Sequence, residues 1–260
     1  MTIALVTGAS SGIGYEIAII LASKGYDLVI TARNSKSLAD LKAYLESTYG
    51  VSVWSIPADL SQPTAAQNIY TGVQKNNLEI DILVNNAGFG VQGHFESAAL
   101  KQYEEMISVN IMAVVQLTHL FLPGMKVRQS GKILNVASLA AFQPGPNFSV
   151  YFASKSFVLS FSEALYVEAK PSGIVVCALC PGFTQSRFFE KADVVDVGKI
   201  IPIPTAKQVA TYGVKKLLDG KAVAIYGIFN RVIATLSQLL PRKWTRYTAK
   251  WFNNFFFRSK

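Results

Sequence analysis

The 260-residue chain predicts an α/β fold: a doubly wound parallel sheet of seven strands with helices on both faces, followed by a C-terminal helical extension. Three observations carry this expectation. Short runs rich in Val, Ile and Leu alternate with longer amphipathic stretches; the apolar runs are uninterrupted; and a glycine-rich turn separates the first run from the first amphipathic stretch. An uninterrupted apolar strand is buried on both faces, the condition met by a parallel sheet covered by helices.

The elements follow in order. I-A-L-V opens the sheet and leads to a helix from Gly12 to Lys24. D-L-V-I is followed by a helix from Ser35 to Tyr49, and V-S-V-W-S-I-P by a helix from Thr64 to Asn76. D-I-L-V-N precedes a long helix near Lys101 to Leu122, and K-I-L-N-V-A precedes a helix from Val150 to Ala169. I-V-V-C-A-L, a helix near Thr205 to Leu218 and A-V-A-I-Y complete the set. No repeat, low-complexity tract or Pro/Gly linker divides the chain. Residues 1–228 therefore read as one domain and 229–260 as a basic, aromatic helical tail. Within the domain, 185–203 lacks periodicity, as a substrate-covering loop would.

Apolar residues make up 50% of the chain and charged residues 16%, which excludes bulk disorder. The two cysteines, Cys177 and Cys180, sit in or beside a strand, where residues three apart face opposite ways; they read as buried thiols rather than a redox or zinc pair. His94 and His119 have no partner at ligand or triad spacing and read as structural, so no metal is expected. The first strand begins at Thr2 or Ile3, leaving no room for a leader, so secretion is not expected. The nearest approach to a transmembrane span, Val223 to Leu240, is interrupted by Asn230 and Arg231. A cytoplasmic location follows. Of the net charge of +9, residues 220–260 carry +8, with no acid, and residues 1–219 are nearly neutral. A nucleic-acid binder would spread its basic groups across the folded face, so this distribution argues against that role.

T-G-A-S-S-G-I-G, residues 7 to 14, lies between the first strand and the first helix. Gly8 permits the tight turn, Gly12 lets the backbone approach a pyrophosphate, and Gly14 allows close helix–sheet packing. Ser10, Ser11 and Ile13 complete a loop that would set phosphates at the helix N-terminus. After the second strand, T-A-R-N places Arg33 and Asn34 where an NAD-specific site would hold an acid. A guanidinium pairs with a 2′-phosphate, so NADP(H) is preferred over NAD(H); the other reading of Arg33 is an exposed loop arginine. In A-D-L, Asp59 and Leu60 follow the third strand, Asp59 either reaching an adenine edge or serving as a cap or turn carboxylate. N-N-A-G brings Asn86, Ala87 and Gly88 after the fourth strand, small residues suited to close backbone approach. Tyr151 and Lys155 in Y-F-A-S-K share a helix face, and a cation beside a phenol would lower the phenol's pKa.

With T-G-A-S-S-G-I-G, A-D-L, N-N-A-G, the Asn110 helix, Ser138, Y-F-A-S-K and P-G-F-T in order, residues 2 to about 226 resemble the short-chain dehydrogenase/reductase family. The resemblance implies roles. Tyr151 would be the acid/base, Lys155 would hold the nicotinamide ribose and lower the tyrosine's pKa, Ser138 would bind the substrate carbonyl, and Asn110 would anchor a water in the proton relay. Asn86 to Gly88 would line the cofactor, and Pro181, Gly182 and Thr184 would meet its nicotinamide end. It also implies a homodimer or homotetramer paired through the helices carrying Asn110 and Tyr151.

The expected activity is NADPH-dependent reduction of a ketone or aldehyde, reversible as alcohol oxidation. Phe89, Phe142, Phe148, Phe183, Phe188 and Phe189 surround the expected pocket, suggesting an apolar or lipid-like small molecule; the other reading of several of them is packing of loops onto the sheet. The alternative function is an NADP(H)-binding sensor or scaffold with little turnover, acting through its tail. In 241–260, helical spacing puts Trp244, Tyr247, Trp251, Phe252 and Phe255 on one face and Arg246, Lys250, Asn253 and Asn254 on the other. Such a helix suits a peripheral membrane contact, or packing over the core, the pocket or another subunit.

Overall fold

The computed structural model describes residues 2–185 and 203–256, with side chains described as far as Ala249. Strands β1 (Ile3–Thr7), β2 (Asp27–Thr31), β3 (Val53–Ser55), β4 (Ile80–Asn85), β5 (Gly131–Val136), β6 (Ile174–Cys180) and β7 (Val223–Ile225) form one sheet in the order β3-β2-β1-β4-β5-β6-β7. Every pairing is parallel. The order reverses between β1 and β4, and at such a switch point an α/β sheet opens a crevice beyond the strands' C-terminal ends.

Helices α1 (Gly12–Ala22), α2 (Ser35–Tyr49) and α7 (Ala206–Leu218) cover one face; α3 (Ala65–Lys75), α5 (Ala113–Arg128) and α6 (Ser149–Ala169) cover the other. Strand β1 is buried at all five positions because both faces meet helices. Cys177 packs with Leu134 and Leu179 in one core layer and Cys180 with Ala178 in another, so the thiols do point to opposite faces. Local signals fix the helix ends. The Asn34 side chain accepts the Ser37 N–H to start α2, Gly50 at φ 68° ends it, and Thr205 with Gln208 forms the capping box of α7.

Two elements depart from expectation. Strand β3 is shorter than the run 51–57, yet Leu28 N–H to Ser52 O, Ile56 N–H to Ile30 O and Ala58 N–H to Ala32 O keep that stretch paired to β2. The long helix begins as α4 (Leu100–Ile107), passes through a π-helical turn at Ser108–Met112, and continues as α5 to Arg128. Among the described residues Leu100–Arg128 is the one helix long and apolar enough to cross a membrane, but Leu117, Phe121 and Met125 pack it on the sheet as a core helix.

The tail is two helices rather than one: α8 (Ile228–Leu239) and α9 (Arg242–Phe256), separated because Leu240 precedes Pro241 and is held extended. In α9, Thr245 and Ala249 face inward, while Trp244 and Tyr247 are 66% and 68% exposed. Of the alternatives for the tail, packing of these two rings on the core is not what the chain adopts; contact with a membrane or another subunit stays open. Trp251, Phe252 and Phe255, and residues 186–202 of the expected loop with Phe188 and Phe189, lie outside the described side chains or residues. The ends of that loop are pinned, Gln185 forming a parallel bridge to Thr205.

Candidate active site

At the end of β1 the chain turns through Gly8 (φ 65°) and Gly12 (φ 60°) into α1. The close packing read for Gly14 is present, and its partner is Asn86: a Cβ on Gly14 would lie 2.2 Å from Asn86 Nδ2 and 2.5 Å from Gly8 O. Asn86 Nδ2 donates to the carbonyls of Thr7 (2.8 Å) and Gly8 (3.3 Å). Thr7 Oγ1 donates to Val84 O (3.1 Å) and accepts the N–H groups of Asn86 (2.9 Å) and Ala87 (3.0 Å). Thr7 thus ties the turns after β1 and β4 together across the switch point. Its signal in the sequence was a hydroxyl at the end of an apolar strand.

The Ser11 side chain makes no cap hydrogen bond, which leaves the first N–H groups of α1 without a side-chain acceptor. A bare helix N-terminus behind two glycines, with Ser10 and Ser11 partly exposed, fits a pyrophosphate. Ile13 packs against the α1 core layer and shapes the turn from behind. Arg33 is exposed beyond the end of β2 on the same edge of the sheet. Asn34 is occupied in capping α2. Asp59 Oδ1 accepts both the N–H and the Oγ of Ser61 (3.1 and 2.9 Å), the turn-carboxylate alternative, while Leu60 is buried beside it.

The catalytic candidates converge at the ends of β4 and β5. Asn110, 1% exposed, sits inside the π turn, a local widening of the helix that often marks functional positions. Its amide makes a reciprocal pair with the Phe89 backbone, Nδ2 to O at 2.9 Å and N–H to Oδ1 at 3.1 Å, and Nδ2 also donates to Ser154 Oγ at 3.0 Å. Ser154 Oγ in turn donates to Tyr151 O at 2.7 Å. Lys155 Nζ donates to Val136 O at 2.9 Å and lies 5.9 Å from the centre of the Tyr151 ring. A Cβ on Gly88 would stand 3.1 Å from Asn110 Oδ1 and 3.2 Å from Lys155 Nζ, so a side chain here would press on both groups.

Ser138 lies two residues beyond β5 and caps the short 3-10 turn Leu139–Phe142, accepting Ala140 N–H at 3.1 Å. Leu139 N–H bonds to Pro181 O at 2.7 Å, which brings the P-G-F-T segment beside it; Thr184 is buried and donates to Gly182 O at 3.0 Å. Ser138 also hydrogen-bonds the Tyr151 side chain.

The expected lowering of the tyrosine's pKa is not found. Burial pushes the Tyr151 phenol up to about 12, only partly offset by the Ser138 hydrogen bond, and burial pulls Lys155 down to about 8. Desolvation disfavours both charged forms, and at this separation it outweighs the attraction of ammonium for phenolate. The site therefore presents a neutral phenol, a proton donor, next to a weakly held ammonium.

Of the aromatic candidates, Phe148 is buried edge-on against Tyr151 at 6.5 Å and against Phe152. Phe142 packs partly on the Val158–Leu159 layer, and Phe89 and Phe183 are half-buried. His94 and His119 are exposed. A residue the sequence did not single out is Asn230 of α8, whose side chain lies 2.7–2.9 Å from where a Gly182 Cβ would be.

A family model described as short chain dehydrogenase matches residues 2–194. A very-long-chain 3-oxoacyl-CoA reductase from Laccaria bicolor is 34% identical over 205 residues, 78% of this chain and 60% of that protein. The ketoacyl reductase HetN from Nostoc sp. is 30% identical over 236 residues, 91% of this chain and 82% of that one. The solved structure of a short-chain dehydrogenase from Sphingobium yanoikuyae in complex with NADPH superposes with a TM-score of 0.82 at 32% identity, covering 90% of this chain and 92% of that one. The chain spans about 60% of the length of the Laccaria relative.

Proposed function

Because the chain belongs to the short-chain dehydrogenase/reductase family, we propose that it reduces the ketone or aldehyde carbonyl of an apolar, lipid-like molecule to an alcohol with NADPH, reversibly. The observation that carries this reading is the grouping of Asn110, Ser138, Tyr151 and Lys155 around Gly88, beyond the glycine turn at the sheet's switch point. Residues 1–228 form the catalytic unit in this reading.

The Gly8–Gly14 turn would hold the pyrophosphate, Arg33 the 2′-phosphate, and Gly88 with Pro181–Thr184 the nicotinamide end; the cofactor supplies the hydride. The chain's own groups handle the oxygen. Ser138 Oγ and the Tyr151 hydroxyl donate to the substrate carbonyl, where negative charge develops, and Tyr151 delivers its proton from the neutral state that burial enforces. Lys155 opposes that charge, while Asn110 fixes the 86–89 turn and through Ser154 the backbone of Tyr151.

The apolar substrate class is supported by Phe148 beside Tyr151 and by the printed activity of the Laccaria relative. A homodimer or homotetramer is supported by Met112 and Phe157, 46% and 38% exposed on the helices that carry Asn110 and Tyr151. The location proposed is cytoplasmic, with peripheral membrane contact through the tail over 241–260.

The test is NADPH oxidation against a carbonyl panel graded from small keto acids to long-chain 3-oxoacyl thioesters and aryl ketones, run in parallel with NADH. Rates that climb with apolar length and favour NADPH are expected. No oxidation with any carbonyl, or a preference for small charged keto acids, overturns the reading.

A further inference from the structure

Helix α8 carries its apolar stripe on the outside. Ala234, 2% exposed, with the half-buried Asn230 and Ser237, faces the protein. Ile228, Phe229, Val232, Leu236 and Leu239 face away, at 79%, 56%, 49%, 50% and 75% exposure. These positions recur every three or four residues, so they form one continuous strip. Trp244 and Tyr247 on α9 are also turned to solvent, at 66% and 68%. Arg231, Arg242, Lys243 and Arg246 are exposed on the same two helices, and 220–260 contains eight Lys and Arg with no acid.

We propose that α8 and the start of α9 bind an anionic lipid surface, and that docking there sets the mouth of the catalytic cleft against the bilayer, from which apolar carbonyl substrates enter. Apolar side chains with Trp and Tyr, bordered by cations, match the acyl boundary and the headgroups of such a surface. Charge selects lipid over a second copy of the chain. A twofold contact through this face would set two acid-free basic segments against each other.

The cleft is adjacent. The Ser237 side chain hydrogen-bonds Gln143 at 3.3 Å, at the end of the turn that begins at Ser138, and Asn230 abuts Gly182. A helix is about 10 Å thick, so the outer stripe lies about that far from the cleft rim. The entry route rests on the carbonyl-reductase reading; the lipid face does not.

The test compares the full chain with Phe229→Ser/Leu236→Ser/Leu239→Ser in co-sedimentation with vesicles of phosphatidylcholine, with and without about one-quarter phosphatidylserine. The wild type should prefer the anionic vesicles, lose binding as salt rises, and bind at least about tenfold more tightly than the triple variant. Absence of wild-type binding, or equal binding by the variant, overturns the lipid face. So does a shift in oligomer size on gel filtration with vesicle binding unchanged, which would make the stripe a subunit contact. Both proteins should reduce a water-soluble ketone at the same rate, while a long-chain ketone carried in anionic vesicles should be reduced faster by the wild type; equal rates on the vesicle-borne ketone overturn the entry route. A wild type that reduces the soluble ketone but ignores vesicles removes the lipid face and leaves the reductase standing. One that binds vesicles but oxidises NADPH with no carbonyl removes the reductase reading and the entry route, and leaves the lipid face.

Discussion

Replacing Lys155 with Met should stabilise the protein while removing its activity. Burial takes the ammonium from its ordinary 10.5 to about 8. At about 1.4 kcal/mol per pH unit, the charged form weakens the folded state by about 3 kcal/mol at pH 7. The unfolded chain holds more protons than the folded one between pH 8 and 10.5, so wild-type stability rises with pH across that window, and the full penalty applies below it. Methionine fills much of the same apolar space without charge. Against the gain, Val136 O loses its donor, at about 1–3 kcal/mol. The net at pH 7 is a gain of up to about 2 kcal/mol. The pH dependence is the sharper readout, because the lost hydrogen bond weighs similarly at both ends of the window. The stability advantage of the variant should shrink by about 3 kcal/mol between pH 7 and about 10.5, measured by urea unfolding at each pH. A difference that stays constant with pH would refute the claim that Lys155 is both charged and desolvated in the folded protein. NADPH oxidation by the variant should fall by about a hundredfold or more.

Three further outcomes follow from the same geometry. Tyr151→Phe should lower carbonyl reduction by on the order of a thousandfold while NADPH binding, followed by fluorescence titration, stays within about threefold; wild-type turnover in that variant would remove the proton-donor role. Arg33→Ser should reduce kcat/KM for NADPH about tenfold or more and leave the value for NADH unchanged, whereas an unchanged ratio of the two would make Arg33 an ordinary surface arginine. Gly14→Ala drives a methyl into Asn86 and Gly8 O, so the melting temperature should fall as expected for about 1–3 kcal/mol and NADPH should bind more weakly. An unaltered melting temperature and affinity would contradict the close approach.

The sheet and its helices were legible because their signals are periodic. Apolar runs buried on both faces and helices with one apolar stripe state their environment directly, and Ser35–Tyr49 agrees residue for residue. Features that depend on a partner distant in the sequence were less legible. The π turn at Asn110 arises where the side chain folds back on Phe89 and Ser154, 21 positions earlier and 44 later. Thr7 gains its role from Asn86 and Ala87, 79 and 80 positions on. The tail was only half legible for a different reason: helical spacing shows which residues share a face but not which way that face turns. Thr245 and Ala249, the small residues, took the inside of α9, and Asn230, Ala234 and Ser237 the inside of α8.

The pKa directions bear on the course of the reaction as well as on stability. A cation beside a phenol suggested a lowered tyrosine pKa. Burial reverses this, holding Tyr151 neutral to about 12 and loosening the proton on Lys155. Reduction needs a proton delivered to the carbonyl oxygen, and a neutral phenol does this from its resting state. Oxidation requires that phenol first to lose its proton, which desolvation opposes. In the proposed reading Arg33 points the same way, since a guanidinium holding a 2′-phosphate would favour the phosphorylated cofactor on which reductions draw. In that reading, Tyr151 on α6 and Arg33 beyond the end of β2, read through unrelated physics, both favour carbonyl reduction as the forward direction.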